Sequence, residues 1–264
     1  MMLQDILAFL SGSGVGLVLG LVGGGGSIIA VPLLVYVVGI TSPHVAIGTG
    51  AVAVTLSAFA NLMAQLRRDT VKWRCAIVFS ASGILGAAVG SSFSKAFDGG
   101  KLLALFGLLM MGVGTLMAIR RDVEGNVSIR LSRETARELL PLLISIGVSV
   151  GLLSGFFGIG GGFLIVPGLM LATGMPLASA ASTSLVAVTA FGATTATSYA
   201  ISGLVDWRIV ALFVIGGFFG GIAGAALGSR LANERGRLAL VFALIVIATG
   251  MFVTARGYSA LMVG

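Results

Sequence analysis

The chain has 264 residues, of which 57% are hydrophobic and only 9% charged, with a mean hydropathy of +1.11. A soluble domain carries about 25% charged residues, so composition excludes a soluble globular protein and assigns the chain to the membrane. The net charge of +7 does not indicate nucleic acid, because the basic residues fall in short connections between apolar stretches and form no patch with interleaved aromatics.

Apolar runs and Gly/Pro punctuation predict ten helical pieces, at about 5–22, 27–40, 44–66, 72–94, 101–120, 139–157, 162–174, 177–201, 207–229 and 237–255. A membrane crossing needs roughly 20 apolar residues, so the pieces 27–40 and 162–174 are short for a full span. The N-terminus, MMLQDILAFL, lacks a positive n-region and a cleavage site and reads as the start of the first helix rather than a removable signal. A polar segment from Arg120 to Glu138 divides the chain. It sets the expected domains: a first transmembrane repeat at 1–120, a cytoplasmic linker at 121–137 and a second repeat at 138–264.

The two parts are similar in order. GLVLGLVGGGGSIIAVPLL (Gly16–Leu34) aligns with GLLSGFFGIGGGFLIVPGL (Gly151–Leu169), with prolines and most glycines in register. TGAVAVT (Thr49–Thr55) aligns with TSLVAVT (Thr183–Thr189), VKW (Val71–Trp73) with VDW (Val205–Trp207), and KLLALFGLL (Lys101–Leu109) with RLALVFALI (Arg237–Ile245). The arginine-rich connections Arg67–Arg74, Arg120–Arg137 and Arg230–Arg237 are expected in the cytoplasm. That places Ser202–Arg208 outside and makes the halves inverted, each a glycine-broken helical hairpin plus three transmembrane helices. The expected fold is therefore an all-α integral membrane protein with 8–10 membrane helical segments. Parallel halves with eight interrupted spans are the alternative.

Enzymatic chemistry finds little support. His44 is the sole histidine and Cys75 the sole cysteine, and no carboxylate lies within a span. No catalytic residue, metal ligand or cofactor is expected. The glycine runs are not a P-loop, since no Lys-Ser or Lys-Thr follows them. A site without charged side chains suits an anion held by hydroxyls, amides and the N–H groups of a helix start. Glycine breaks at equivalent places in two repeats point to such a site in transporters.

The candidate substrate-binding residues are Gly23, Gly24, Gly25, Gly26 and Ser27 in the first half and Gly158, Gly160, Gly161 and Gly162 in the second. Thr49, Asn61, Thr183 and Ser184 follow on the next helices, and Pro32 and Pro167 are assigned to the helix breaks. Gly83, Gly86, Gly90, Gly217, Gly220, Gly221 and Gly224 are read as close helix packing. Of the further polar residues, Ser57, Thr194, Thr195 and Thr197 are more simply bonded to their own helices, Thr55 and Thr189 gain weight by recurring at repeat-equivalent positions, and Asn61 and Gln65, four apart on one helical face, either line the pathway or bond a neighbouring helix. His44 is read as interfacial.

A GxGGG-like run, a proline about six residues later and a Thr-bearing Ala/Val-rich helix occur in both halves, through Gly23–Pro32 with Thr49 and Gly158–Pro167 with Thr183. In this the chain resembles the sulfite exporter TauE/SafE family over almost its whole length. The resemblance implies a multi-pass protein of the bacterial inner membrane that exports small sulfur-containing or organic anions such as sulfite, sulfoacetate or other sulfonates. The expected partners are such an anion and the lipid bilayer, with a homodimer allowed and nucleic acid excluded. An anion-selective channel and a non-transporting membrane scaffold are the alternative functions.

Overall fold

The computed structural model describes residues 2–22, 24–65, 71–119, 136–158, 162–230 and 235–263. Nine long or medium helices and one irregular segment account for nearly all of them. In chain order they are α1 (Met2–Val22), the segment 24–37, α3 (Pro43–Gln65), α4 (Trp73–Ser94), α5 (Gly99–Ile119), α6 (Ala136–Phe157), α7 (Gly162–Thr173), α8 (Leu177–Ile201), α9 (Trp207–Arg230) and α10 (Arg235–Val263). No strand occurs among the described residues. Seven helices are long and apolar enough to cross a membrane, and Gly26–Val37, Gly162–Thr173 and Ala243–Arg256 are shorter apolar helices.

The segment 24–37 begins as a 3₁₀ turn (Gly24–Ile29), passes through a three-residue α2 (Ala30–Pro32) and widens into a π turn (Leu33–Val37). Its counterpart α7 is a regular helix despite Pro167 within it. Both stop at a left-handed glycine in the same repeat position, Gly39 with φ +81° and Gly174 with φ +70°, the conformation that ends helices at least cost.

Contacts between glycine faces fix the relative direction of the helices. Along α1 and α9, Gly12 meets Phe213, Gly16 meets Gly217 and Gly20 meets Gly221, so these two run parallel. The same holds for α4 and α6, where Gly83 meets Gly147 and Gly151 while Gly90 meets Leu152 and Phe156. By contrast α3 and α8 run antiparallel, with Gly48 against Tyr199 and Thr55 against Gly192. So do α5 and α10, with Gly107 against Gly250 and Gly114 against Ala243. Exchanging the halves turns the α1–α9 pair into the α6–α4 pair, so each half packs into the other rather than forming a separate unit. Parallel α1–α9 contacts, continued by Ser57–Gly217 and Asn61–Gly221 between α3 and α9, mean that α1 and α3 also run the same way. The segment 24–37 therefore returns the chain, closing a helical hairpin with α1 before α3, α4 and α5 follow.

The packing glycines behave as their spacing suggests. A Cβ at Gly86 would stand 2.7 Å from the Leu152 backbone and one at Gly220 2.9 Å from Leu17 N. Such backbone-to-backbone approach gains dispersion contact where lipid removes any hydrophobic driving force. α3 lies deepest, with 78% of Pro43–Met63 buried. The outward faces carry Leu85, Phe93, Phe218, Phe219, Ile222 and Leu244, all exposed, as a lipid-facing surface requires.

Candidate functional site

The two glycine hairpins turn at opposite ends of α3. Gly221 touches Gly20 on one side and Asn61 on the other, so the end of α1 is level with Asn61. Gly158, with φ +66°, sits against Ile47 near the start of α3. Fourteen helical residues separate those levels, about 21 Å. From these turns the two short segments run back toward each other, and Gly24–Ile29 packs directly on α7. The structure thus brings the returning segments together and keeps their turning points apart.

Gly26 is buried, and a Cβ there would stand 2.7 Å from Leu19 N and 2.8 Å from Val15 O. Only glycine lets the 3₁₀ turn close onto α1. Ser27 is fully enclosed and Gly162 is buried, each at the start of its segment. Gly24 and Gly25 lie in the same 3₁₀ turn, whereas Gly23, Gly160 and Gly161 lie outside the described residues. Pro32 is buried and closes the short α2 immediately before the π turn, and Pro167 is half-buried within α7. Pro32 has no N–H to donate and its ring crowds the preceding turn, consistent with the irregular winding on either side of it.

The two threonines carry a reciprocal bond between the halves. Thr49 Oγ1 accepts from the Asp206 backbone N–H at 2.9 Å, and Thr183 Oγ1 accepts from the Lys72 backbone N–H at 3.1 Å. Asp206 and Lys72 are themselves repeat counterparts, each just before the helix that follows the central one. Thr49 and Thr183 are fully buried. Their hydroxyls satisfy N–H groups at the starts of α9 and α4, which helical bonding leaves open. Asp206 adds a side-chain cap, its Oδ1 accepting from Arg208 N and Ile209 N, both at 3.1 Å, while Lys72 offers no such cap. The threonines were legible as a repeat-related pair, but their partners stand 157 and 111 residues away and no local pattern names them.

Asn61 Nδ2 donates to Ser57 O at 2.9 Å, within its own helix. Ser184 Oγ donates to Ala181 O at 2.7 Å. Thr55, Thr189, Thr194 and Thr197 bond carbonyls one turn back, as helical hydroxyls commonly do. The side chain of Gln65 is outside the described residues. Among the described residues, four buried hydroxyls have no partner: Ser57, Ser80, Ser154 and Thr195.

A polar cluster ties α4 to α8 at the end where α3 begins. His44 Nε2 lies 3.3 Å from Ser94 O, Ser94 Oγ is 2.8 Å from Tyr199 OH, and Lys95 Nζ donates to Ser198 O and to Ser198 Oγ and Ser202 Oγ. A cation beside the last carbonyls of α8 is favourable for the helix dipole, which gives Lys95 a structural task. Cys75 is buried near the start of α4.

The chain matches the family described as sulfite exporter TauE/SafE over residues 8–253. It is 46% identical over 263 residues to a "Probable membrane transporter protein" of Xylella fastidiosa (strain Temecula1), covering 99% of this chain and 100% of the relative. It is 28% identical over 247 residues to the "Probable membrane transporter protein YunE" of Bacillus subtilis, covering 87% and 90%. No solved structure matches it. A helical bundle with duplicated glycine hairpins, matched across both halves, belongs to the sulfite exporter TauE/SafE family of membrane transporters.

Proposed function

We propose that this chain is a secondary transporter of the bacterial inner membrane that exports small sulfur-containing or organic anions, such as sulfite, sulfoacetate or other sulfonates. The observation that carries this reading is the pair of repeat-equivalent hairpins, whose short segments pack on one another in a bundle whose buried residues, among those described, include no Asp, Glu, Lys or Arg. Backbone N–H groups, hydroxyls and amides are then the available anion ligands, and helix starts supply partial positive charge without a buried cation.

The helix directions support halves of opposite orientation in the bilayer. Repeat-equivalent α3 and α8 run antiparallel, as do α5 and α10. They also gather the ends of α3, α5 and α9 at one face, with the connections that hold most of the Lys and Arg residues. Among the described residues, Lys95, Lys101, Arg208 and Arg256 belong to the other face. The first face is accordingly the cytoplasmic one. Alternating access would open the two faces in turn by moving one bundle against the other, and the Thr49 and Thr183 bonds stand one near each face.

Purified protein in proteoliposomes tests this. Saturable uptake of sulfite, or of one member of a sulfonate and carboxylate panel, above that of empty liposomes is expected. Flux that rises linearly with concentration and yields single-channel currents would assign a channel instead. No flux of any anion would overturn the transport reading.

A further inference from the structure

We propose that Ser57 and Asn61 on α3, facing Gly217 and Gly221 of α9, are the donor pair that holds the transported oxyanion at the centre of the bundle; this rests on the transport reading above. Ser57 is 2% exposed and its Oγ has no hydrogen-bond partner among the described residues. An unsatisfied buried hydroxyl is costly, and a helical serine ordinarily avoids the cost by bonding a carbonyl one turn back. Thr55, Thr189, Thr194 and Thr197 do so here. Ser57 does not.

Three further observations single out this position. First, a second donor lies one turn away: the Asn61 amide commits one N–H to Ser57 O and carries a second N–H. Second, α9 presents glycine to both groups. A Cβ at Gly217 would stand 2.7 Å from Ser57 Oγ, and one at Gly221 3.0 Å from Asn61 Nδ2. Third, the register sets Ser57 at the centre. With Gly48 against Tyr199 and Thr55 against Gly192, Ser57 comes within one residue of the level of its own repeat counterpart, Phe191, between the levels at which the two hairpins turn. A carrier that opens to each side in turn needs its site at that level.

The other unpartnered hydroxyls lack this setting. Ser80 and Ser154 have apolar residues or glycine one turn away on their own helices. Thr195 follows Phe191, and the Ser198 and Tyr199 beyond it are engaged with Lys95 and Ser94. Phe191 stacks on Phe79 with centroids 6.0 Å apart and lies against Gly83. One half of the duplication therefore fills the position with a ring, and the other leaves two neutral donors. Neutral donors in a low dielectric bind an oxyanion through charge-assisted hydrogen bonds without a fixed countercharge that would retain it.

The test is sulfite uptake by full-length protein in proteoliposomes, comparing Ser57→Ala, Ser57→Thr, Asn61→Leu and Gly217→Ala with the natural protein. Ser57→Ala is expected to raise the KM for sulfite about tenfold, the loss of one charge-assisted hydrogen bond, with its melting temperature unchanged or raised. Ser57→Thr should restore the natural KM, and Asn61→Leu and Gly217→Ala should raise it. A Ser57→Ala protein whose KM stays within twofold of the natural value overturns the proposal and leaves the transport reading intact. If sulfite is not carried but another anion of the panel is, the same comparison with that anion decides. If the natural protein moves none, both readings fall together.

Discussion

The α3–α9 contact and its repeat counterpart, the α8–α4 contact, share one backbone frame and differ in what fills it. Thr49 and Thr183 make the same bond to the start of the partner helix. Two turns further along, Phe191 seals one contact against Gly83, while Ser57 stands unpartnered at the other against Gly217. The features shared by the two halves are those that determine helix position, and the divergent ones sit two turns further along the same contacts.

The largest predicted effect breaks the comparison at that divergent position. Phe191→Ala empties a fully buried ring site and should cost about 3–5 kcal/mol, whereas Ser57→Ala should cost nothing, both read by thermal unfolding in detergent. Equal losses would mean that the two positions do the same structural work. Next come the backbone contacts, which should respond alike in both halves. Gly16→Val and Gly151→Val place side-chain atoms on the backbone of Gly217 and Gly83, and each should cost about 1–3 kcal/mol or more. Gly14→Val, with open space around it, should leave the unfolding temperature unchanged.

The reciprocal bonds come third. Thr49→Val and Thr183→Val should each cost about 0.6–1.5 kcal/mol, with serine at either position recovering most of the loss. A threonine whose removal left stability untouched but abolished flux would be a ligand for the substrate instead of a fastener. The smallest effect sharpens the one difference at the helix starts. Lys72→Asp would give α4 the cap that Asp206 gives α9 and should add about 0.5–1 kcal/mol, with Asp206→Ala losing a similar amount.

The hairpins show how far local sequence reaches. Four glycines before SIIAVP state that the helix stops, because the backbone entropy and unpaired groups of such a run work against continuing it. The sequence does not state how the chain restarts. The first segment winds as 3₁₀, α and π turns in succession, and the second as a single α-helix, although both carry proline in register. Nor does it locate the turns, since hairpins of this length could meet at a point or pass side by side. Here they pass, because α3 runs between the two levels and Gly158 is held at Ile47 while α1 ends near Asn61.

Composition and spacing by themselves determined the membrane class and the helical pieces, and the glycine-run motifs carried the resemblance to the family. Each is a local or averaged property, the free energy of placing apolar residues in lipid and the cost of breaking a helix there. Tertiary structure decided what depends on distant partners. It set the antiparallel run of α3 against α8, the threonine bonds between halves, and the hydroxyl of Ser57 left without an acceptor beside an amide. Those outcomes follow from which helix faces come together, and in a bundle apolar on every side, lipid gives no hydrophobic preference among faces. Close backbone fit at glycine and the few buried polar groups make that choice.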